Sequence, residues 1–274
     1  MDNQTYNLQN FDEILKSFGI NDKPVLLSGG QGTSYLCGNI VIKPEEDEIE
    51  ASWVAEVFSK MTVSEIRVSK PIKAINGYWI HNGWSAHTFI EGEITKDRWK
   101  EKIEIGRKLH KAVAYLEKPR FIGKRFHPWE IADKMVWGES KLKYGSELEL
   151  VISKLKPLLR LIKYKEQIIH GDLTGNILFH PKLEPAVIDF SPYWRPVEYA
   201  TAIIIVDSIV WENAPTSLMS ELSDTKEMNQ LLIRAAMWRI ITTEEFIKQY
   251  GRGNIEDVCE YHTFIDVLLK RKNL

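Results

Sequence analysis

Cysteine is scarce: the 274-residue chain has 2, Cys37 and Cys259, far apart and without metal-ligand spacing. No disulfide framework follows, and a reducing cytoplasm is the expected setting. Long hydrophobic runs are also missing. The most apolar stretch, Ala200 to Trp211, is interrupted by Asp207 and is too short to span a bilayer, so it reads as a buried helix. Residues 1–5, Met-Asp-Asn-Gln-Thr, carry no signal-peptide apolar region. Charge of one sign is lacking too: 36 basic residues face 38 acidic ones, for a net charge of -2. That balance argues against nucleic acid or an anionic membrane as the main partner. Repeats and low-complexity segments are absent. What the chain does have is 44% hydrophobic residues, enough to fill the core of one large or two modest domains.

The chemistry is concentrated in one stretch, Gln167-Ile-Ile-His-Gly-Asp-Leu-Thr-Gly-Asn-Ile-Leu-Phe179, and its echo, Ala186-Val-Ile-Asp-Phe190. In each, a short apolar run reads as a buried strand that delivers polar groups to an exposed turn. The first delivers His170, Asp172 and Asn176; the second delivers Asp189. With only a Pro-containing turn between them, the two strand ends are expected to be adjacent. Two carboxylates and a carboxamide then supply oxygen ligands for Mg²⁺ beside a carboxylate able to take a proton.

Upstream, Phe11, Ile14, Leu15 and Phe18 follow helical spacing, and Gly19 ends that helix. Val25 to Lys43 reads as three short strands with a Gly-rich turn over Gly29, Gly30, Gly32, Thr33 and Ser34, where backbone N–H groups can approach phosphate oxygens. Lys43 closes the third strand. A helix from about Asp47 to Met61 follows, and Glu50 falls on its apolar stripe with Trp53, Val54 and Val57. A buried acid needs a partner, and Lys43 is the natural one; Glu56 points away from the stripe. Asn76-Gly77 and Asn82-Gly83 each predict a type I′ hairpin, so Arg67 to Ile90 completes an antiparallel sheet. From Thr95 the pattern is helical, and Leu148 to Ile162 is a further amphipathic helix. The segment Phe121 to Gly145 is aromatic-rich and suits lobe packing better than an acceptor pocket.

The two polar loops resemble the catalytic and metal loops of the protein-kinase-like fold. The His-Gly-Asp form is similar to that of aminoglycoside phosphotransferases, and the Trp194-Arg195-Pro196 context is similar to that of a bacterial subgroup of proteins like them. The resemblance implies an α+β, bilobal fold: an N-lobe over residues 1–91 with an antiparallel sheet and a helix, and a helical C-lobe over residues 92–274. It implies transfer of the γ-phosphate of ATP or GTP to a small-molecule hydroxyl, with Mg²⁺. Asp172 would then be the base, and Asn176 and Asp189 the metal ligands. Lys43, braced by Glu50, would grip the α- and β-phosphates, and backbone groups near Thr88 and Ile90 would read the adenine edge. His170 would hold its loop in shape, and His110 would be a core histidine. The sequence departs from the pattern in three places: Asn176 follows Asp172 by four positions where five are usual, Ser191 follows Phe190 in place of Gly, and Ala200 stands where relatives often carry a second Asp. The shortened loop leaves a non-catalytic, nucleotide-binding relative as the alternative. A protein kinase is disfavoured, since no activation segment with a closing Ala-Pro-Glu is present.

Overall fold

The computed structural model describes residues 11–27 and 32–274. These form two compact units. One holds the described residues up to Glu93 together with Leu178–Asp189; the other holds Ile94–Ile177 and Phe190–Leu274.

The first unit starts with α1 (Phe11–Ser17), β1 (Val25–Leu26), β2 (Tyr35–Cys37), β3 (Ile40–Pro44) and α2 (Glu48–Lys60). β4 (Arg67–Val68), β5 (Pro71–Ile72), β6 (Ile80–His81) and β7 (Trp84–Thr88) follow. The antiparallel sheet runs β1-β2-β3-β7-β5, with β6 also on β7. Its core combines Phe11, Ile14, Leu15 and Phe18 of the first helical stretch with Cys37, Ile42, Trp84 and Ala86 of the strands. The helical periodicity of the opening residues is thus realised as core packing, which supplies the stability that a seven-residue helix lacks alone. Asp47 caps α2 by accepting from the Ile49 and Glu50 N–H groups at 2.9 and 3.0 Å. At the other end, Lys70 Nζ donates to the Phe58 and Met61 carbonyls, satisfying groups that the last turn leaves open.

The β6–β7 turn has the two positive φ values that type I′ requires, 47° at Asn82 and 76° at Gly83. At the other dipeptide only Gly77 is left-handed, and Asn76 Oδ1 instead accepts from the Tyr78 N–H. That turn is therefore not type I′. β4 also departs from expectation. It leaves the main sheet and pairs in parallel with Ala186–Val187.

In the second unit, α3 (Trp99–Val113), α4 (Pro128–Val136) and α5 (Glu149–Leu155) lead to β8 (Glu166–His170) and β9 (Ile177–Leu178). The chain returns to the first unit through β10 (Ala186–Val187). It then closes the second with β11 (Pro192–Pro196), α6 (Val197–Trp211), α7 (Lys226–Tyr250) and α8 (Tyr261–Leu268). The helix foreseen to reach Ile162 is cut short near Pro157, whose ring cannot continue an α-helical ladder.

Two expectations are corrected. Leu178–Asp189 groups with the first unit, not with the helical one, because β10 is paired to β4 and Phe179 bridges to Glu93. The run ahead of the first polar loop, β8, pairs with β11 over its whole length and not with β10; it is β9, directly after that loop, that lies beside β10 in the sheet β4-β10-β9. The aromatic-rich segment is built into the core of the second unit. Arg195 of β11 binds Asp133 and Glu139, Arg125 binds Glu130, and Trp129 packs edge-on against Trp238 of α7.

Candidate active site

β8 ends at His170, and the next two residues set the position of Asp172. His170 donates its own N–H to His110 Nε2 at 3.0 Å and accepts the Asp172 N–H on Nδ1 at 3.1 Å. Burial, aided by the neighbouring His170, pushes His110 down to about 3, so it is a neutral acceptor. Gly171 is required for a steric reason. A Cβ there would lie 2.5 and 2.7 Å from the ring of Tyr193, which is itself buried under Arg125. Gly171→Ala is expected to cost about 1–3 kcal/mol of stability, the range for overpacking. Thermal unfolding would read this, and an unchanged midpoint would show that Tyr193 moves freely.

The Asp172 carboxylate is 43% exposed and held from two sides. Asn176 Nδ2 donates to the Asp172 carbonyl at 2.6 Å and to Oδ2 at 3.1 Å, which closes the four-residue loop on itself. The Asn176 Oδ1 has no partner among the described residues and remains available as an oxygen donor. Arg239 Nη2, from α7, donates to Asp172 Oδ1 at 2.8 Å. The same guanidinium grips Asp207 of α6 at 2.5 and 2.9 Å, and Thr174 Oγ1 donates to Asp207 at 3.1 Å.

The first unit carries the other constellation. Lys43 Nζ lies 2.6 Å from Asp189 Oδ1 and 3.6 Å from Glu45 Oε1. Burial opposes its charge, but Asp189 and then Glu45 outweigh burial and hold the ammonium above the usual lysine range. Glu50 is not its carboxylate partner, which corrects the expected pair. The physical reason is reach: Glu45 is only two residues along the same chain, while Asp189 arrives directly on Nζ. Asp189 is half exposed and has φ of 48°. A non-glycine residue held in the left-handed region marks a position fixed by its surroundings, and such positions gather at functional sites. His87 is pushed down to about 3 by burial and then by Lys43, and bonds Ser85 at 3.2 Å, a structural role.

No family model and no curated protein matches the sequence. Solved structures do match in shape. An apo thermostable mutant of aminoglycoside phosphotransferase APH(4)-Ia superposes with TM-score 0.62 at 13% identity, covering 94% of this chain and 98% of that one. Choline kinase LicA from Streptococcus pneumoniae gives 0.60 at 14%, covering 95% and 98%. A choline/ethanolamine kinase family protein from Mesorhizobium loti gives 0.63 at 12%, covering 96% and 95%. The chain has the protein-kinase-like fold of these enzymes. A thermostable mutant of APH(4)-Ia has been solved as a ternary complex with AMP-PNP and hygromycin B.

Within this kinase-like fold the remaining candidates are distributed as follows. Gly29 and Gly30 lie outside the described residues. Gly32 has φ of 68°, and Thr33 and Ser34 are half-buried, with the Ser34 carbonyl accepting from the Leu27 N–H. Thr88 spends its N–H on Lys70 and its carbonyl on Ser69 Oγ, whereas the backbone of Ile90 makes no hydrogen bond among the described residues. Of the two candidates for reading a base edge, Ile90 is the available one. Arg239 was not foreseen. Its signal is in the sequence all the same: a cation inside the apolar run Leu231 to Ile241, facing the equally stranded Asp207 in Ala200 to Trp211.

Proposed function

We propose that this protein is a small-molecule kinase that transfers the γ-phosphate of a nucleoside triphosphate to a hydroxyl group, with Mg²⁺. The observation that carries the reading is Asp172. Its carboxylate is half exposed, oriented through both oxygens by Asn176 and Arg239, and set by a glycine that admits no side chain. An acid so fixed is suited to orient an acceptor hydroxyl and take its proton. Lys43 would hold the α- and β-phosphates, with the stretch Gly29 to Ser34 covering them and Ile90 reading the base. Oxygen donors fit Mg²⁺, and the available Oδ1 of Asn176 and the half-exposed carboxylate of Asp189 are the donors offered. The ion would neutralise charge on the triphosphate.

The acceptor follows from charge. A polycationic aminoglycoside needs matching carboxylates. The acids of the aromatic-rich segment are already spent, Asp133 and Glu139 on Arg195 and Glu130 on Arg125. We expect a less cationic hydroxyl compound to be preferred. The test has two stages: thermal stabilisation by Mg-ATP and Mg-GTP, then nucleotide consumption over a panel of neutral and cationic alcohols. No stabilisation by either nucleotide would remove the kinase reading. Stabilisation without turnover on any alcohol would favour the non-catalytic alternative. A kcat/KM for an aminoglycoside of about 10⁴ M⁻¹s⁻¹ or more would overturn the charge argument.

A further inference from the structure

We propose that Arg239 is a positioning residue for Asp172: anchored on Asp207 and boxed by three tryptophans, it fixes the carboxylate from behind. The inference rests on the kinase reading given above.

The geometry supports an anchor. Arg239 is 1% exposed, and its guanidinium makes two bonds to Asp207, so its plane is set before it reaches Asp172. The rings of Trp238, Trp129 and Trp211 lie 4.7, 4.9 and 5.4 Å from its central carbon. Such a box leaves the side chain no alternative rotamer without vacating the core and abandoning its cation–π contacts. Thr174, inside the loop that carries Asp172, donates to Asp207 as well. The loop is therefore tied to α6 and α7 at two points, once through a carboxylate and once through a hydroxyl. A pair made only for stability would need Asp207 and Arg239 alone. The third bond, to a half-exposed acid at 2.8 Å, gives Arg239 a role beyond the core.

A planar fork is needed for this. Lysine keeps the charge but, as a point donor, cannot hold two carboxylates in one plane. In Arg239→Lys, kcat should fall about 100-fold, the scale of an ångström-sized misplacement of a catalytic group. The nucleotide KM and the Mg-nucleotide thermal shift should stay at wild-type values, a split that general destabilisation would not produce. Thr174→Val, isosteric and milder, removes one hydroxyl bond and should lower kcat by about fivefold with the same split. A double-mutant cycle of Arg239→Lys with Asp172→Ala, which takes away both oxygens, scored on unfolding, reads the contact without using activity. The two changes should be non-additive by about tenfold in the unfolding equilibrium constant. An additive cycle, or Arg239→Lys with wild-type kcat, overturns the proposal; where Arg239→Lys is too unstable to assay, Thr174→Val with unchanged kcat overturns it. A wild-type protein that neither binds nor consumes nucleotide overturns the kinase reading first, and the positioning role with it.

Discussion

Asp172→Asn should reduce turnover on any accepted alcohol by roughly 10²–10⁴-fold, the span that loss of a general base commonly costs. The substitution is nearly isosteric, so its structural consequences can be followed atom by atom. An asparagine there can still accept from Arg239 at the position of Oδ1. Its NH₂ then stands at the position of Oδ2 and faces Asn176 Nδ2, a donor against a donor. That single bond, worth about 1 kcal/mol, is what the fold loses. Arg239 keeps both bonds to Asp207, so no buried cation is stranded. Mg-nucleotide stabilisation should persist, because Lys43 and Asp189 are untouched. Single-turnover kinetics beside a thermal-shift titration would separate the two effects. Wild-type turnover in the variant would end the assignment of Asp172 as base.

The parts of the site that were legible in the sequence are those fixed by local chemistry. His170, Asp172, Asn176 and Asp189 sit on short loops next to strands, and loop spacing is a sequence property. So is the capping of α2 by Asp47, and so is the Asn82-Gly83 turn, whose backbone needs residues that tolerate positive φ. The parts that were not legible depend on which distant strand or side chain arrives. β4 is a two-residue strand with the same burial as β5, yet it pairs with Ala186–Val187, more than a hundred residues on, and no local pattern records that choice. Lys43 had one helical acid predicted for it and received two others, because a flexible ammonium goes to the carboxylates that surround it. Arg239 is the instructive omission. The rule that sought a partner for Glu50 on an apolar stripe applies with more force to a cation among Leu231, Leu232, Met237 and Ile240, all of which are fully buried. Applied there, it calls for a buried acid such as Asp207 but leaves Arg234, in the same run, as an equal claimant. The bond onward to Asp172 needs the fold.

Asp189 should give the largest change in nucleotide binding, and two substitutions separate its charge from its backbone. At φ of 48°, alanine in place of Asp189 pays a steric cost of about 1–2 kcal/mol, whereas asparagine is tolerated in the left-handed region. Both remove the anion that faces Lys43 at 2.6 Å, leaving the ammonium with Glu45 at 3.6 Å. Without ligand, Asp189→Asn should unfold earlier than wild type, since Asp189 is half exposed but Lys43 is only 25% exposed and keeps Glu45 as its carboxylate. Asp189→Ala should unfold earlier still by the added strain. With Mg-nucleotide at one hundred times the wild-type Kd, the wild-type protein should gain about 2.7 kcal/mol and both variants little of it. Wild-type protein with nucleotide and a chelator in place of Mg²⁺ should behave like Asp189→Asn with the metal present. If Asp189→Asn keeps the full gain, the carboxylate is not a metal ligand, and the left-handed backbone at this position exists to seat Lys43 alone.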